Sequence, residues 1–209
     1  VTERSIIFND AMSRAILSGA KTETRRPVKR QPVFPDAFAG AECDSMGLAV
    51  WKHTDGSTSG PVGNQPCVPG DTLWVRECWR PEHFDTSVEY RADKGVKLFD
   101  ASMMRTSDYD DAVRWSKKLA GRWAPSIHMP RWAARTVLDV LEVRVERLQD
   151  MTEEDARAEG VEPHEYPYCA EGARHRMSFA RLWDTVYPAM PWASNPWVWV
   201  VRFKRQGGA

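Results

Sequence analysis

The chain carries no excess charge of either sign, with 29 lysines and arginines against 29 aspartates and glutamates. That excludes a polybasic, histone-like mode of binding for the chain as a whole, although not for a local patch. No apolar run approaches the roughly 18 residues a membrane span needs, and no signal-like hydrophobic stretch stands at the start. No membrane partner and a cytoplasmic setting are therefore expected. The four cysteines, Cys43, Cys67, Cys78 and Cys169, form no Cys-x-x-Cys and no Cys/His pair of zinc-finger spacing. Free, buried thiols are expected, with no metal and no cofactor. In place of these the chain has tryptophan, 10 residues of 209, and 14 prolines. Its length and its 42% hydrophobic and 28% charged content fit one soluble domain spanning residues 1–209.

Net neutrality hides a segregated pattern. Residues 1–35 hold seven cations against three acids, residues 148–172 eight acids against Arg157, and residues 173–209 six cations against Asp184. Such blocks either make a bipolar surface that binds a polyanion at one end or pair with each other within the fold.

Residues 5–8 read as a strand. Asn9 then caps a helix whose apolar residues recur at Ala11, Met12, Ala15 and Ile16, and Gly19 stops it after Ser18. Residues 31–69 and 81–123 look like two long insertions, with a hairpin near 48–51 and a helix over 108–119. Residues 72–76, 135–145 and 197–203 read as strands, the second with an imperfect polar parity. Thr152 with Asp155 forms an acidic capping box for a helix that Gly160 ends, and residues 178–187 form a last helix. Short helices between strands, without βαβ periodicity, predict an α+β fold with a curled or closed sheet.

Four stretches can carry chemistry. Lys21-Thr22-Glu23-Thr24-Arg25-Arg26 packs three cations and two hydroxyls into six residues after a helix. Lys21 and Thr24 would share a side only on a non-strand backbone, and Arg25 and Arg26 would lower the lysine pKa toward that of a useful base. In the 72–79 stretch, Leu73 and Val75 facing the core would leave Trp74 and Arg76 together. Glu77 follows, and Trp79 is a candidate ligand wall, although a buried tryptophan beside an Arg–Glu pair is the blander reading. Two prolines around Ser126, His128 and Arg131 predict a rigid extended path with donors lining a pocket. Glu159, at a helix end, is disfavoured as a carboxylate by the dipole and so suits proton transfer if buried.

These segments, Gly19-x-Lys21-Thr22-x-Thr24-Arg25-Arg26, Pro69-Gly70-Asp71-x-Leu73-Trp74-Val75-Arg76-Glu77, Pro125-Ser126-Ile127-His128-Met129-Pro130-Arg131-Trp132 and Asn195-Pro196-Trp197-Val198-Trp199, resemble those of ASCH-domain proteins. The similarity is to the Trp-rich branch found in phage and prophage genomes. The resemblance implies a PUA-like mixed β-barrel with short flanking helices, the two insertions, and a role connected with nucleotides or nucleic acid. Small bacterial members hydrolyse N4-acetylcytidine, and their catalytic lysine, threonine and glutamate resemble Lys21, Thr24 and Glu159 here. By that likeness Lys21 deprotonates Thr24, Thr24 attacks the acetamide carbonyl, and Glu159 protonates the departing amine. Arg25, Arg26, Arg76, Glu77, Trp79, Ser126, His128 and Arg131 are the expected substrate-binding set. The leading expectation is an amidohydrolase whose partner is a modified nucleoside or nucleobase. The alternatives are a module binding single-stranded RNA through Lys21, Arg25, Arg26 and Arg131, with Trp79 stacking on a base, or a ribonuclease using the same cleft.

Overall fold

Alternation, capping and turn chemistry divide the chain into short elements. In order they are β1 (Glu3–Ile7), α1 (Asp10–Leu17), β2 (Glu23–Pro27), β3 (Phe38–Cys43), β4 (Ala49–His53), β5 (Thr58–Pro61), β6 (Thr72–Arg76), β7 (Trp79–Pro81), β8 (Ser87–Tyr90), β9 (Val96–Leu98), α2 (Thr106–Leu119), β10 (Val137–Arg147), α3 (Glu153–Ala158), α4 (Arg174–Val186) and β11 (Trp197–Arg205). The structure is a computed structural model that describes residues 2–33, 35–43, 48–81, 87–99, 104–163 and 173–207. Cys169, Glu165 and Glu171 fall outside them. The architecture is α+β, with the strands in three sheets. The expected barrel is not closed among the described residues, where each sheet is open. None of the described helices is long and apolar enough to cross a membrane.

The chain separates into two units, each assembled from distant segments. The first comprises Val1–Ser18, Thr72–Leu138 and Arg205–Ala209. Here β1 runs parallel to β6, with Ile6 opposite Val75. Leu73 and Val75 are buried, while Trp74 and Arg76 lie on the other parity with the guanidinium 5.5 Å from the indole, as alternation predicts. The Asn9 side chain accepts from the Met12 N–H at 2.9 Å, capping α1. Strands β7, β8 and β9 form an antiparallel meander. Trp79, Val88 and Tyr90 from it bury against Leu119, Ala124, Met129 and Ala133. The path around Ser126 is not extended: residues 126–128 and 131–133 are 3-10 turns. Pro125 and Pro130 are themselves extended, and each turn begins one residue later. An extended path would set Ser126 and His128 on one side, but a 3-10 turn, with three residues per revolution, does not.

The second unit comprises Gly19–Asp71 and Asp139–Lys204. Its strands lie in the order β10-β11-β2, with β3-β4-β5 as a separate antiparallel sheet. β11 is buried on both faces, which explains a near-continuous apolar run. Trp197 and Trp199 join Val28, Trp51, Val62 and Val145 in one core. Val198 and Val200, of opposite parity, join Leu148, Ala156, Phe179 and Trp183 in another. The Thr152–Asp155 capping box is formed, at 3.1 and 3.0 Å. The Glu153 carboxylate reaches α4, accepting from the N–H groups of His175 (2.7 Å) and Arg176 (3.0 Å) and satisfying donors that a helix start leaves open.

Candidate functional site

The polar stretch after Gly19 is a strand and not a turn. Gly19 takes φ +80°, Lys21 forms a bridge with Glu159, and residues 23–27 pair with β11 as β2, with Thr24 opposite Val201. The Thr22 N–H donates to the Ala158 carbonyl at 2.8 Å and its carbonyl accepts from Phe203 at 2.9 Å, holding the entry to the strand at the end of α3. Gly160, at φ +75°, releases the chain after Glu159. Two backbone segments 138 positions apart are thus pinned side by side, and their side chains meet.

Lys21 is 2% exposed. Its ammonium donates to the Glu159 carboxylate at 2.5 Å, the Glu159 carbonyl at 3.0 Å and the Glu23 carbonyl at 2.8 Å. Arg25 reaches the other Glu159 oxygen at 3.3 Å, Glu23 at 2.7 Å and Glu146 at 2.7 Å. Arg144 closes the far side on Glu23 at 3.2 Å and Glu146 at 3.0 Å, and Asp155 approaches Arg25 at 3.5 Å. Three cations (Lys21, Arg25, Arg144) so meet four carboxylates (Glu23, Glu146, Asp155, Glu159). For these residues the basic N-terminal block and the acidic block pair with each other rather than form separate surface poles.

The electrostatics follow from burial. Loss of water pushes the Lys21 pKa down, and the nearby Glu159 charge only partly opposes it, while Arg26 and Arg25 push the same way. Burial likewise raises Glu23 despite Arg25 and Arg144. For Arg25 burial works against the charge, but Glu159, Glu23 and Glu146 outweigh it and its pKa rises. The site is a dry pair, Lys21–Glu159, whose base is weakened as a cation and whose acid is held by a second, permanent cation.

Comparison with known families, with curated proteins and with solved structures finds no match. The site therefore stands on its own geometry.

Thr24 is buried at 3% exposure. By strand alternation it shares a face with Arg26, whereas Lys21, Glu23 and Arg25 share the other. The Lys21 ammonium donates toward Glu159 and the Glu23 carbonyl, on the face opposite Thr24. Arg26 is half-buried and donates to the Tyr187 hydroxyl at 3.4 Å.

The six other expected binding residues belong to the first unit. Arg76 donates to the Ile127 carbonyl. Glu77 is fully buried and forms a two-pronged pair with Arg135 at 3.0 and 2.9 Å. Burial raises the Glu77 pKa against the opposing pull of Arg135. Trp79, taken as a candidate ligand wall, is 0% exposed and packs edge-on against Trp115 (5.6 Å) and Trp132 (5.7 Å), so it offers no free face for stacking. Ser126 is half-buried, His128 is exposed 6.0 Å from the Trp115 ring, and Arg131 is exposed and paired with Glu3 at 2.7 Å.

Sequence reasoning missed Glu23, Glu146 and Arg144 as members of the network. Their signal was present: Glu23 has the parity of Lys21 and Arg25, and the polar break in β10 falls on Glu142, Arg144 and Glu146. Among the described residues no group of His, Cys, Asp or Glu is arranged to hold a metal, and Cys67 and Cys78 are buried free thiols.

Proposed function

We propose that the chain is an amidohydrolase of N4-acylated cytosine nucleosides or a related modified nucleobase, on a PUA-like ASCH framework, with Lys21, Thr24 and Glu159 as its reacting side chains. The observation that carries this reading is the 2.5 Å contact between Lys21 and Glu159, a buried amine and carboxylate brought together from positions 138 residues apart. Their surroundings suit proton relay. Burial favours release of the Lys21 proton, and Arg25 at 3.3 Å steadies the Glu159 carboxylate when Lys21 is neutral.

In this reading neutral Lys21 takes the Thr24 hydroxyl proton as Oγ adds to the amide carbonyl. The proton passes from Lys21 to Glu159 and on to N4 of the base, which leaves as the free amine. Water then attacks the acyl ester on Thr24, and one of its protons passes through Lys21 to the departing Thr24 Oγ, so that the carboxylic acid is released and both the hydroxyl and the neutral amine are restored. Formation of the Michaelis complex has to bring Thr24 Oγ to Lys21, exchanging one of the amine's present carbonyl partners for the hydroxyl. The RNA-binding and ribonuclease readings draw less support. Lys21 and Arg25 are buried and already neutralised by carboxylates, Arg131 is paired with Glu3, and Trp79 has no exposed surface.

The test is incubation with N4-acetylcytidine and other N4-acyl cytosines, with cytidine and free acid followed by chromatography. Release of cytidine by the wild type, lost in Thr24→Ala and Lys21→Met, is expected. A panel that stays intact at high enzyme concentration refutes the proposal.

A further inference from the structure

Buried indoles normally spend their N–H on an acceptor, and Trp183 does so, donating to the Met190 carbonyl at 2.7 Å. Trp79 and Trp199 depart from that rule. Their N–H groups have no partner among the described residues, although the residues are only 0% and 2% exposed. A donor left open in a dry interior is unfavourable unless an acceptor arrives from outside the chain. Trp79 is enclosed by Trp115 and Trp132 in the first unit, which holds none of Lys21, Thr24 and Glu159. Trp199 stands on β11, the strand that pairs with β2.

The register fixes what lies beside it. Arg26 is opposite Trp199 and Thr24 is opposite Val201, so these four side chains share one face of the sheet. Thr24 is thus the diagonal cross-strand neighbour of Trp199. Such neighbours stand about 7–8 Å apart, within reach of an aromatic side chain. Arg26, the other donor on this face, is half-buried and already bonded to the Tyr187 hydroxyl at 3.4 Å. Lys21, Glu23 and Arg25 have the opposite parity and meet Glu159 in the ion network.

That division matches the needs of acyl transfer. When Thr24 Oγ adds to an amide, the carbonyl oxygen gathers negative charge while bonded to the same carbon as Oγ. It needs a donor beside Thr24 that transfers no proton and is not already engaged. An indole N–H is a neutral donor with no acceptor role, and at Trp199 it is open.

We propose that the Trp199 indole N–H donates to the acyl oxygen of the substrate and holds it as the tetrahedral adduct on Thr24 forms. Trp199 thereby adds a donor to the amidohydrolase reading above, on which this inference rests. No proton leaves the indole. The Oγ–C bond forms as the carbonyl π pair moves onto oxygen, and that pair returns to re-form the carbonyl as N4 departs. The acyl group reaches this face past Arg26, its one half-buried member, since Thr24, Trp199 and Val201 are buried.

Two measurements on the full chain test this, one with turnover and one without. Trp199→Phe removes the donor, and replacement of Trp199 by 3-benzothienylalanine exchanges the N–H for sulfur while keeping the shape. In both, kcat for N4-acetylcytidine should fall by about a hundredfold with KM changed by less than about threefold. A packing role alone would spare the benzothienyl variant. Without turnover, ¹H–¹⁵N spectra of tryptophan-labelled protein follow the indole N–H signals, that of Trp199 being the one missing in Trp199→Phe. Acetamide, which supplies the acyl oxygen without the base, should move that signal, and cytidine should not. If acyl cytosines are cleaved but the benzothienyl variant matches the wild type, or the Trp199 signal ignores acetamide, the donor role is overturned and the hydrolytic reading stands. If acetamide moves the signal while acyl cytosines stay whole, the donor is upheld and the assigned substrate fails. If the signal is unmoved and acyl cytosines stay whole, both are overturned.

Discussion

Replacing Lys21 by Met and Glu159 by Leu, singly and together, measures what the buried pair is worth. The lysine side chain is 0% exposed and the glutamate 3%, so neither partner can turn to water when the other is removed. Breaking such a pair typically costs about 3–5 kcal/mol, because the surviving charge is stranded. The two singles should differ. In Lys21→Met the Glu159 carboxylate keeps Arg25 at 3.3 Å, which places the loss near the lower bound. In Glu159→Leu the ammonium loses its carboxylate, keeps the carbonyls of residues 23 and 159 and faces Arg25 and Arg26, which places the loss near the upper bound. The double variant strands no member of the pair, so it should lose less than the sum of the singles, with a coupling of about 2 kcal/mol or more. Urea denaturation reads this directly: at a slope of about 2 kcal/mol/M, the singles should shift the midpoint by roughly 1.5–2.5 M. Single losses below about 1 kcal/mol, the range of an exposed ion pair, or strict additivity in the double would refute the description of the site as dry and tightly coupled.

Two further outcomes follow from the same geometry. Burial holds Lys21 below the ordinary lysine value of 10.5, so between its lowered pKa and 10.5 the unfolded chain binds a proton that the folded chain has released. Stability from this group therefore rises with pH across that window up to 10.5, and the rise should be absent in Lys21→Met when urea midpoints are compared over a pH series. Trp79→Ala should cost about 3–5 kcal/mol through the cavity it opens among Trp115, Trp132 and Tyr90. Trp79→Phe should cost less, since it also removes an indole N–H that is buried without a partner among the described residues.

Local signals carried much of the secondary structure. The Asn9 cap, the Thr152–Asp155 box and the alternation over residues 72–76 are short-range patterns, and each is formed where its residues stand. The polar strand β2 was not legible in this way. Glu-Thr-Arg-Arg has the composition of a turn, and it becomes a strand because β11 offers a ladder and because its charges find Glu146 and Glu159, 121 and 134 positions away. The prolines at 125 and 130 were read correctly as extended residues, but the turns beginning just after them depend on i to i+3 backbone bonds that composition does not announce. At the candidate site Lys21, Arg25 and Glu159 converge, whereas the roles of Glu23, Arg144 and Glu146 depend on sheet register, which only tertiary pairing fixes.

The bridge between residues 21 and 159 also sets a clock for synthesis on the ribosome. At about 5–20 residues per second, the acidic partner is polymerised roughly 7–28 s after the lysine. During that interval the nascent second unit lacks the anion around which its strand β2 closes, and the lysine must stay hydrated outside any finished core. Ribosome pausing within the intervening stretch would lengthen this exposed phase. Folding yield should therefore respond to codon choice between these positions more than to codon choice after Glu159.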